Sequence, residues 1–270
     1  MAKRSAVNPR LFYILTFLIF AAGLAFWLAD LTSDPPMYYA GYGQSLSTDP
    51  AQYVHHARNE ILFGDFDPFD YPRWTVYQHS LTSLTGWLWF SIAGVSIKQA
   101  AVVGLILCLG GLIFLILGLA RYHRPWVTSV VALCYIINIT LYTHGRLSYL
   151  ENGLIFIAAM LFFVYSRWGD RLWGVALSGL LVAIAMLTGK LFGALLLPAL
   201  LLAILFSGRD DSWRRALVSG GAFLIGSLAL MLMLYGTDLA AAMGYVGEQS
   251  YGLRGFPKGL TTPWDFVEHL

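Results

Sequence analysis

Seven apolar runs, at 11–29, 99–120, 125–143, 151–166, 172–188, 190–207 and 216–235, limit what this chain can fold into. Each approaches the roughly 20 residues that carry an α-helix across the hydrocarbon core of a bilayer. Inside lipid every backbone N–H and C=O must be satisfied by the protein itself, and runs of this length do so as helices. Composition agrees: 58% of residues are hydrophobic, 12% are charged, and the mean hydropathy is +0.65. The expected fold is an all-α polytopic membrane protein with about seven transmembrane helices. An eighth stretch, 80–97, is apolar but carries Ser80, Thr82, Ser83, Thr85 and Ser91.

The placement of positive charge decides how 80–97 is read, because Lys and Arg accumulate on the cytoplasmic side of short loops. If 80–97 lies flat, Lys3, Arg4, Arg10, Arg121, Arg124, Arg167, Arg171, Arg209, Arg214 and Arg215 are cytoplasmic, ten basic residues against seven outside. The acids then divide into three inside (Asp170, Asp210, Asp211) and twelve outside. If 80–97 spans, the basic split becomes eight to nine and the bias vanishes. The flat arrangement is therefore expected, with a cytoplasmic amino terminus. The membrane module covers 1–235, including a large external loop over 30–98, and 236–270 forms a second external segment. The first run is longer than an ordinary signal core, so it reads as an uncleaved anchor despite the small residues Ala25 and Ala29. Cys108 and Cys134 fall mid-run, which speaks against a disulfide or a thiol nucleophile. The net charge of +2 carries no nucleic-acid signal.

The loop over 30–98 concentrates seven carboxylates and three histidines among many aromatics. Thr48-Asp49-Pro50 has the form of a helix start, an acidic cap followed by proline at the first helical position. That helix is expected to run to about Phe63 and stop at Gly64. Tyr53, Ala57 and Ile61, with Val54 and Leu62 alongside, form the stripe that would rest on the membrane module. Asp65 to Pro72 reads as an irregular loop. A second, interfacial helix is expected from Thr75 to about Gly94, rich in Trp87, Trp89 and Phe90.

This order of elements, with three short motifs, resembles the C-type (GT-C) membrane glycosyltransferases. The bacterial branch related to protein O-mannosyltransferases and the lipid A aminoarabinose transferase is the most similar. Asp49 opens the external helix. Arg146-Leu147-Ser148-Tyr149-Leu150-Glu151 matches the family's arginine and acid at the second external loop, and Thr188-Gly189-Lys190 is similar to its threonine-lysine-glycine turn. Pro50 stands where a second carboxylate is common in the family, and Gly189-Lys190 has the usual order swapped. The family usually carries further spans and a sizeable external domain, so the chain reads as an amino-terminal piece or a reduced member.

The resemblance implies transfer of a sugar from a polyprenyl-phosphate donor to a hydroxyl or amine on the extracytoplasmic side of a bacterial inner membrane. The acceptor is a lipid, a polysaccharide or a protein. Such chemistry needs a carboxylate to take the acceptor proton and cations to receive the departing phosphate. Asp49 is the candidate base, and Glu151 a second catalytic candidate that helps to position the acceptor. Lys190, Arg146 and Arg73 are candidates for the donor phosphate, and Tyr53, His79 and Tyr77 for acceptor or sugar contacts. Each has a plainer alternative: Asp49 caps a helix, Glu151 pairs with Arg146, and Lys190 snorkels to the interface. Asp65-Phe66-Asp67 spells a DxD but reads better as a turn. His55 and His56, adjacent on a helix, are expected to diverge too far to share a metal. No metal site is assigned, and a divalent cation is the less favoured cofactor. The competing function is a carrier-lipid binding or flipping protein without transferase chemistry.

Overall fold

The structure is a computed structural model that describes residues 9–29, 31, 53–66, 80–189 and 191–235. Every regular element in them is helical: α1 (Pro9–Leu28), α2 (His55–Phe63), α3 (Leu81–Ala93), α4 (Ile97–Tyr122), α5 (Pro125–Ile137), α6 (Ile139–Gly145), α7 (Leu150–Trp168), α8 (Leu172–Ile184), α9 (Leu196–Leu205) and α10 (Ser212–Tyr235). A π-helical turn (Ala185–Gly189) and a 3₁₀ turn (Leu191–Leu195) join α8 to α9.

All seven apolar runs fall on helical segments. Among the described residues four helices are long and apolar enough to cross a membrane: Arg10–Leu28, Ile97–Tyr122, Leu150–Trp168 and Ser212–Met233. A fifth span results if α5 and α6 are counted together across their 64° bend. The bend falls at Asn138, which ends α5 with extended backbone and then caps α6 by accepting the Leu141 N–H at 3.0 Å. The run 125–143 is thus broken rather than straight. The apolar stretches Leu172–Leu187 and Gly193–Leu205 are shorter than a span.

One boundary in the polar insert differs from expectation. Helix α2 begins at His55, after a turn at Val54 that follows the helical residue Tyr53; Asp49 and Pro50, where the expected start falls, lie outside the described residues. Its end is as expected, at Gly64 with φ 72°, whose N–H closes on the Glu60 carbonyl at 2.9 Å. The helix sought from Thr75 starts at Leu81, because Ser80 is extended and its hydroxyl accepts the Ser83 N–H at 3.0 Å. Val54 and Ala57 pack with Phe90 and Val103 as the stripe required, and Ile61 joins at the edge. Leu62, expected in that stripe, is exposed instead.

Close contacts fix the direction of each helix. Thr16 shares a 2.8 Å hydrogen bond with Ser129 while Trp27 Nε1 donates to the Ile136 carbonyl at 3.2 Å, so α1 and α5 run parallel. On α4, Gly104 faces Leu147, Gly111 faces Ile155 and Gly118 faces Phe162, so α4 and α7 are parallel too. Gly179 against Ser219 and Gly226 against Leu180 make α8 and α10 parallel. One end of the bundle therefore gathers Arg10, Arg121, Arg124, Arg167, Arg171, Arg209, Arg214 and Arg215. The other gathers the starts of α4 and α7 and the end of α8.

Three arginines of the basic end form ion pairs. Asp170 in the α7–α8 turn binds Arg209 and lies 3.6 Å from Arg121. Arg215 is buried, holding Asp211 at 2.7 Å and donating to the carbonyls of Gly169 (2.8 Å) and Asp170 (2.9 Å). This staples the start of α10 to the α7–α8 turn. The hydrogen bond from Arg215 lowers the Asp211 pKa below its ordinary value.

Three outcomes follow for thermal unfolding of the detergent-solubilised protein. A Cβ at Gly104 would collide with the Leu147 carbonyl and lie 2.8 Å from that of Gly145, both backbone atoms. Gly104→Ala is expected to destabilise by about 1–3 kcal/mol. Gly220→Ala, which meets nothing within 4 Å, should be neutral or gain up to about 1 kcal/mol from helix propensity. Because the Asp211 pKa is depressed on folding, its stabilisation is complete above the ordinary aspartate value of about 3.9 and is lost as pH falls through the folded one. Asp211→Asn should therefore flatten the acid limb of a melting-temperature profile and leave the neutral region parallel to wild type.

Candidate functional site

The end opposite the arginines is built around the loop from Gly145 to Tyr149. Gly145 is buried, and a Cβ there would lie 2.6 Å from the Trp27 ring and 3.0 Å from Cys108 Sγ. Gly104 admits the Leu147 carbonyl from the other side. Between these glycines the chain turns through Arg146, Leu147 and Ser148 before Leu150 opens α7. The Ser148 hydroxyl donates to the Ala100 carbonyl, and Thr82 Oγ1 donates to Tyr149 O at 3.3 Å. Asn152 draws the loop closed by donating from Nδ2 to both His144 O (2.9 Å) and Leu147 O (2.7 Å).

Arg146 is 2% exposed, which is unusual for a guanidinium and requires compensation. Its Nη1 donates to the Tyr142 hydroxyl, and its Cζ lies 4.8 Å from the Tyr142 ring centroid. Tyr142 in turn stacks on Phe26 at 4.9 Å and meets Trp27 edge-on at 6.0 Å. The cation is thus fixed to α1 through an aromatic relay. Glu151 occupies the first turn of α7 and is half-buried, where the helix dipole favours a carboxylate. Asn152, with no exposed surface, keeps its Oδ1 without a hydrogen-bond partner among the described residues. Ser83 Oγ and Asn59 Oδ1 are buried in the same condition. Groups of this kind suit hydroxyl donors or water better than a dry core.

The break between α8 and α9 lies at this same end, packed against α7 and α3. Gly193 folds back on the π-turn so closely that a Cβ would stand 2.5 Å from the Ala185 carbonyl carbon and 2.7 Å from Met186 N. Leu187 is buried beside Leu230 and Met231 of α10. Lys190, at the centre of the break, lies outside the described residues, as do Asp49, Arg73, Tyr77 and His79. Of the residues singled out by sequence, the structure brings Arg146 and Glu151 to one loop and helix start, and buries Tyr53 on the neighbouring insert at 7% exposure.

The insert itself holds two corrections. His55 and His56 do not diverge: their ring centroids are 3.8 Å apart. His56 is fully buried, and its Nδ1 lies 2.9 Å from the Phe66 carbonyl. A carbonyl only accepts, so Nδ1 carries the proton, and the DxD stretch is tied back to α2 through its middle residue. Among the described residues no group of three His, Cys, Asp or Glu side chains is placed to hold a metal. Trp89, expected as an interfacial anchor, donates its indole N–H to Gln99 Oε1 at 2.8 Å and so ties α3 to α4.

Sequence reasoning missed Tyr142, Thr82, Ser148 and Asn152. The polar residues near Glu151 were a usable signal, since Ser148 lies three residues before it and Asn152 directly after it. Comparison with protein-family models, with curated proteins and with solved structures finds no match to this chain.

Asn152→Ala would strand the His144 and Leu147 carbonyls in a buried loop, at a cost of about 1–3 kcal/mol. The expected result is a lower melting temperature together with faster amide exchange across 144–149. Unchanged exchange there would show that other contacts hold the loop.

Proposed function

We propose that this chain is an integral membrane glycosyltransferase of the C-type, with seven spans and a cytoplasmic basic end. It takes a sugar from a polyprenyl phosphate on the extracytoplasmic side and passes it to a hydroxyl or amine of a lipid, polysaccharide or protein. The observation that supports this reading is the convergence of Arg146, Glu151 and the break between α8 and α9 on the end of the bundle opposite the arginines. An acid, a buried cation and a polar turn at one membrane face suit transfer from a lipid phosphate.

In this reading the acceptor O–H or N–H gives its proton to Asp49 as its heteroatom bonds to the anomeric carbon. The bond from that carbon to the phosphate oxygen breaks, and the polyprenyl phosphate leaves with both bonding electrons. Lys190, with Arg73, receives the developing charge, the kind of stabilisation that often dominates catalysis. Arg146, occupied by Tyr142, contributes through its field from beneath the loop. Glu151, Tyr53, Tyr77 and His79 orient the acceptor.

A second reading, carrier-lipid binding or flipping without transfer, is favoured by one observation. The break between α8 and α9 combines π and 3₁₀ turns, and interrupted helices of this kind line substrate paths in transporters. Native mass spectrometry of the full chain in detergent separates the readings. Under the transferase reading, wild type retains a polyprenyl phosphate, Lys190→Gln loses it, and Asp49→Asn keeps it while abolishing sugar transfer. Equal retention of bulk phospholipid alone by all three forms would sink both readings. Retention of the carrier by a wild type that transfers no sugar would leave only the second.

A further inference from the structure

The basic end carries more cation than its own acids neutralise. Among the described residues eight arginines stand there against Asp170, Asp210 and Asp211. Asp170 is taken by Arg121 and Arg209, and Asp211 by Arg215. Arg124, Arg167, Arg171 and Arg214 are all exposed and make no ion pair among the described residues. They are also not scattered. The shared network brings together the end of α4, the α7–α8 turn and the start of α10, and the Tyr122 hydroxyl adds a 3.1 Å bond to Ser166 O. All four arginines flank these joints.

A second pattern coincides with the first. Three helices that start at this end, α5, α8 and α10, each carry tryptophan as their second residue: Trp126, Trp173 and Trp213. All three indoles are exposed, at 48%, 47% and 71%. Each has one of the four arginines within two residues, and Arg171 Cζ lies 5.9 Å from the Trp173 ring. Indoles gather where hydrocarbon meets headgroup, with an apolar body in the tails and the N–H toward water. The repeated register puts the guanidinium groups at phosphate level.

We propose that Arg124, Arg167, Arg171 and Arg214, framed by Trp126, Trp173 and Trp213, form a docking surface for anionic phospholipid headgroups at this end of the bundle. A phospholipid fits better than a free anion because the arginines come with apolar indoles, which a soluble phosphate has no means to engage. Guanidinium forks match phosphate oxygens in pairs, and each basic residue near an anionic surface adds appreciable attraction. Asp170 and Asp211 serve this surface by holding Arg121, Arg209 and Arg215 in place, so the four exposed arginines flank a fixed frame. The inference is independent of the transferase reading.

The test reconstitutes the full chain into vesicles of mixed phosphatidylcholine and phosphatidylglycerol, re-extracts it gently and quantifies the lipid that stays bound. Wild type should be enriched in phosphatidylglycerol over the bulk ratio, and high salt should weaken the enrichment. Replacing all four arginines by Gln should lower it by on the order of tenfold, whereas replacing them by Lys should preserve most of it. Melting temperatures in pure phosphatidylcholine should be alike for all forms, which separates a lost surface from a lost fold. If the Gln variant unfolds, the Trp126, Trp173 and Trp213 to Ala set, which leaves every charge in place, carries the test by a smaller drop in enrichment. Undiminished enrichment in a folded Gln variant would overturn the proposal. So would equal stabilisation of wild type by inorganic phosphate in phosphatidylcholine, which would indicate a site for free anions.

Discussion

The contact on which the rest of the molecule depends is the close approach of α4 to α7 along Gly104, Gly111 and Gly118. Between apolar helices in lipid the hydrophobic effect offers little preference for protein over tail, so association rests on tight packing and polar contacts. A glycine every seven residues keeps one face of α4 flat over two heptads and lets α7 lie along it. The uppermost glycine does more than admit a helix. It admits the backbone of the Leu147 turn, and so decides where α7 starts and where Glu151 stands.

From that contact the polar end is assembled by secondary bonds of ordinary strength. Asn152 closes the loop, Ser148 ties it to α4 and Thr82 ties it to α3. Arg146 is anchored to α1 through Tyr142, Phe26 and Trp27. Helices far apart in sequence therefore meet at one cation. An arginine held this way has a fixed position and a desolvated charge, whether its role is to act on a ligand phosphate or to secure the loop.

The two ends of the bundle handle charge by opposite means. At the basic end, aspartates at helix joints lock some arginines into a frame and leave others facing outward. At the polar end, Arg146 is buried and Glu151 half-buried among uncharged hydrogen-bonding groups. This asymmetry gives the bundle a direction. Over 80–97 the helix α3 has 13 residues and packs on α2 and α4.

Apolar run length and helix punctuation were legible in the sequence because they are local. The seven runs, the stops at Gly64 and Gly94 and the stripe of Val54 and Ala57 need only residue type and spacing. The placement of Arg146 and Glu151 at one loop and helix start was legible for the same reason, since five positions separate them. What tertiary structure alone decided was everything carried by contacts between distant segments. The aromatic relay under Arg146 and the Asp170 network both join residues whose one-dimensional patterns do not refer to each other. In a membrane chain that gap is wide, because nearly every side chain in a span is apolar and hydropathy no longer separates a helix face that meets lipid from one that meets protein. Small residues and stray polar groups carry that distinction, and they acquire meaning only once the helix opposite them is known.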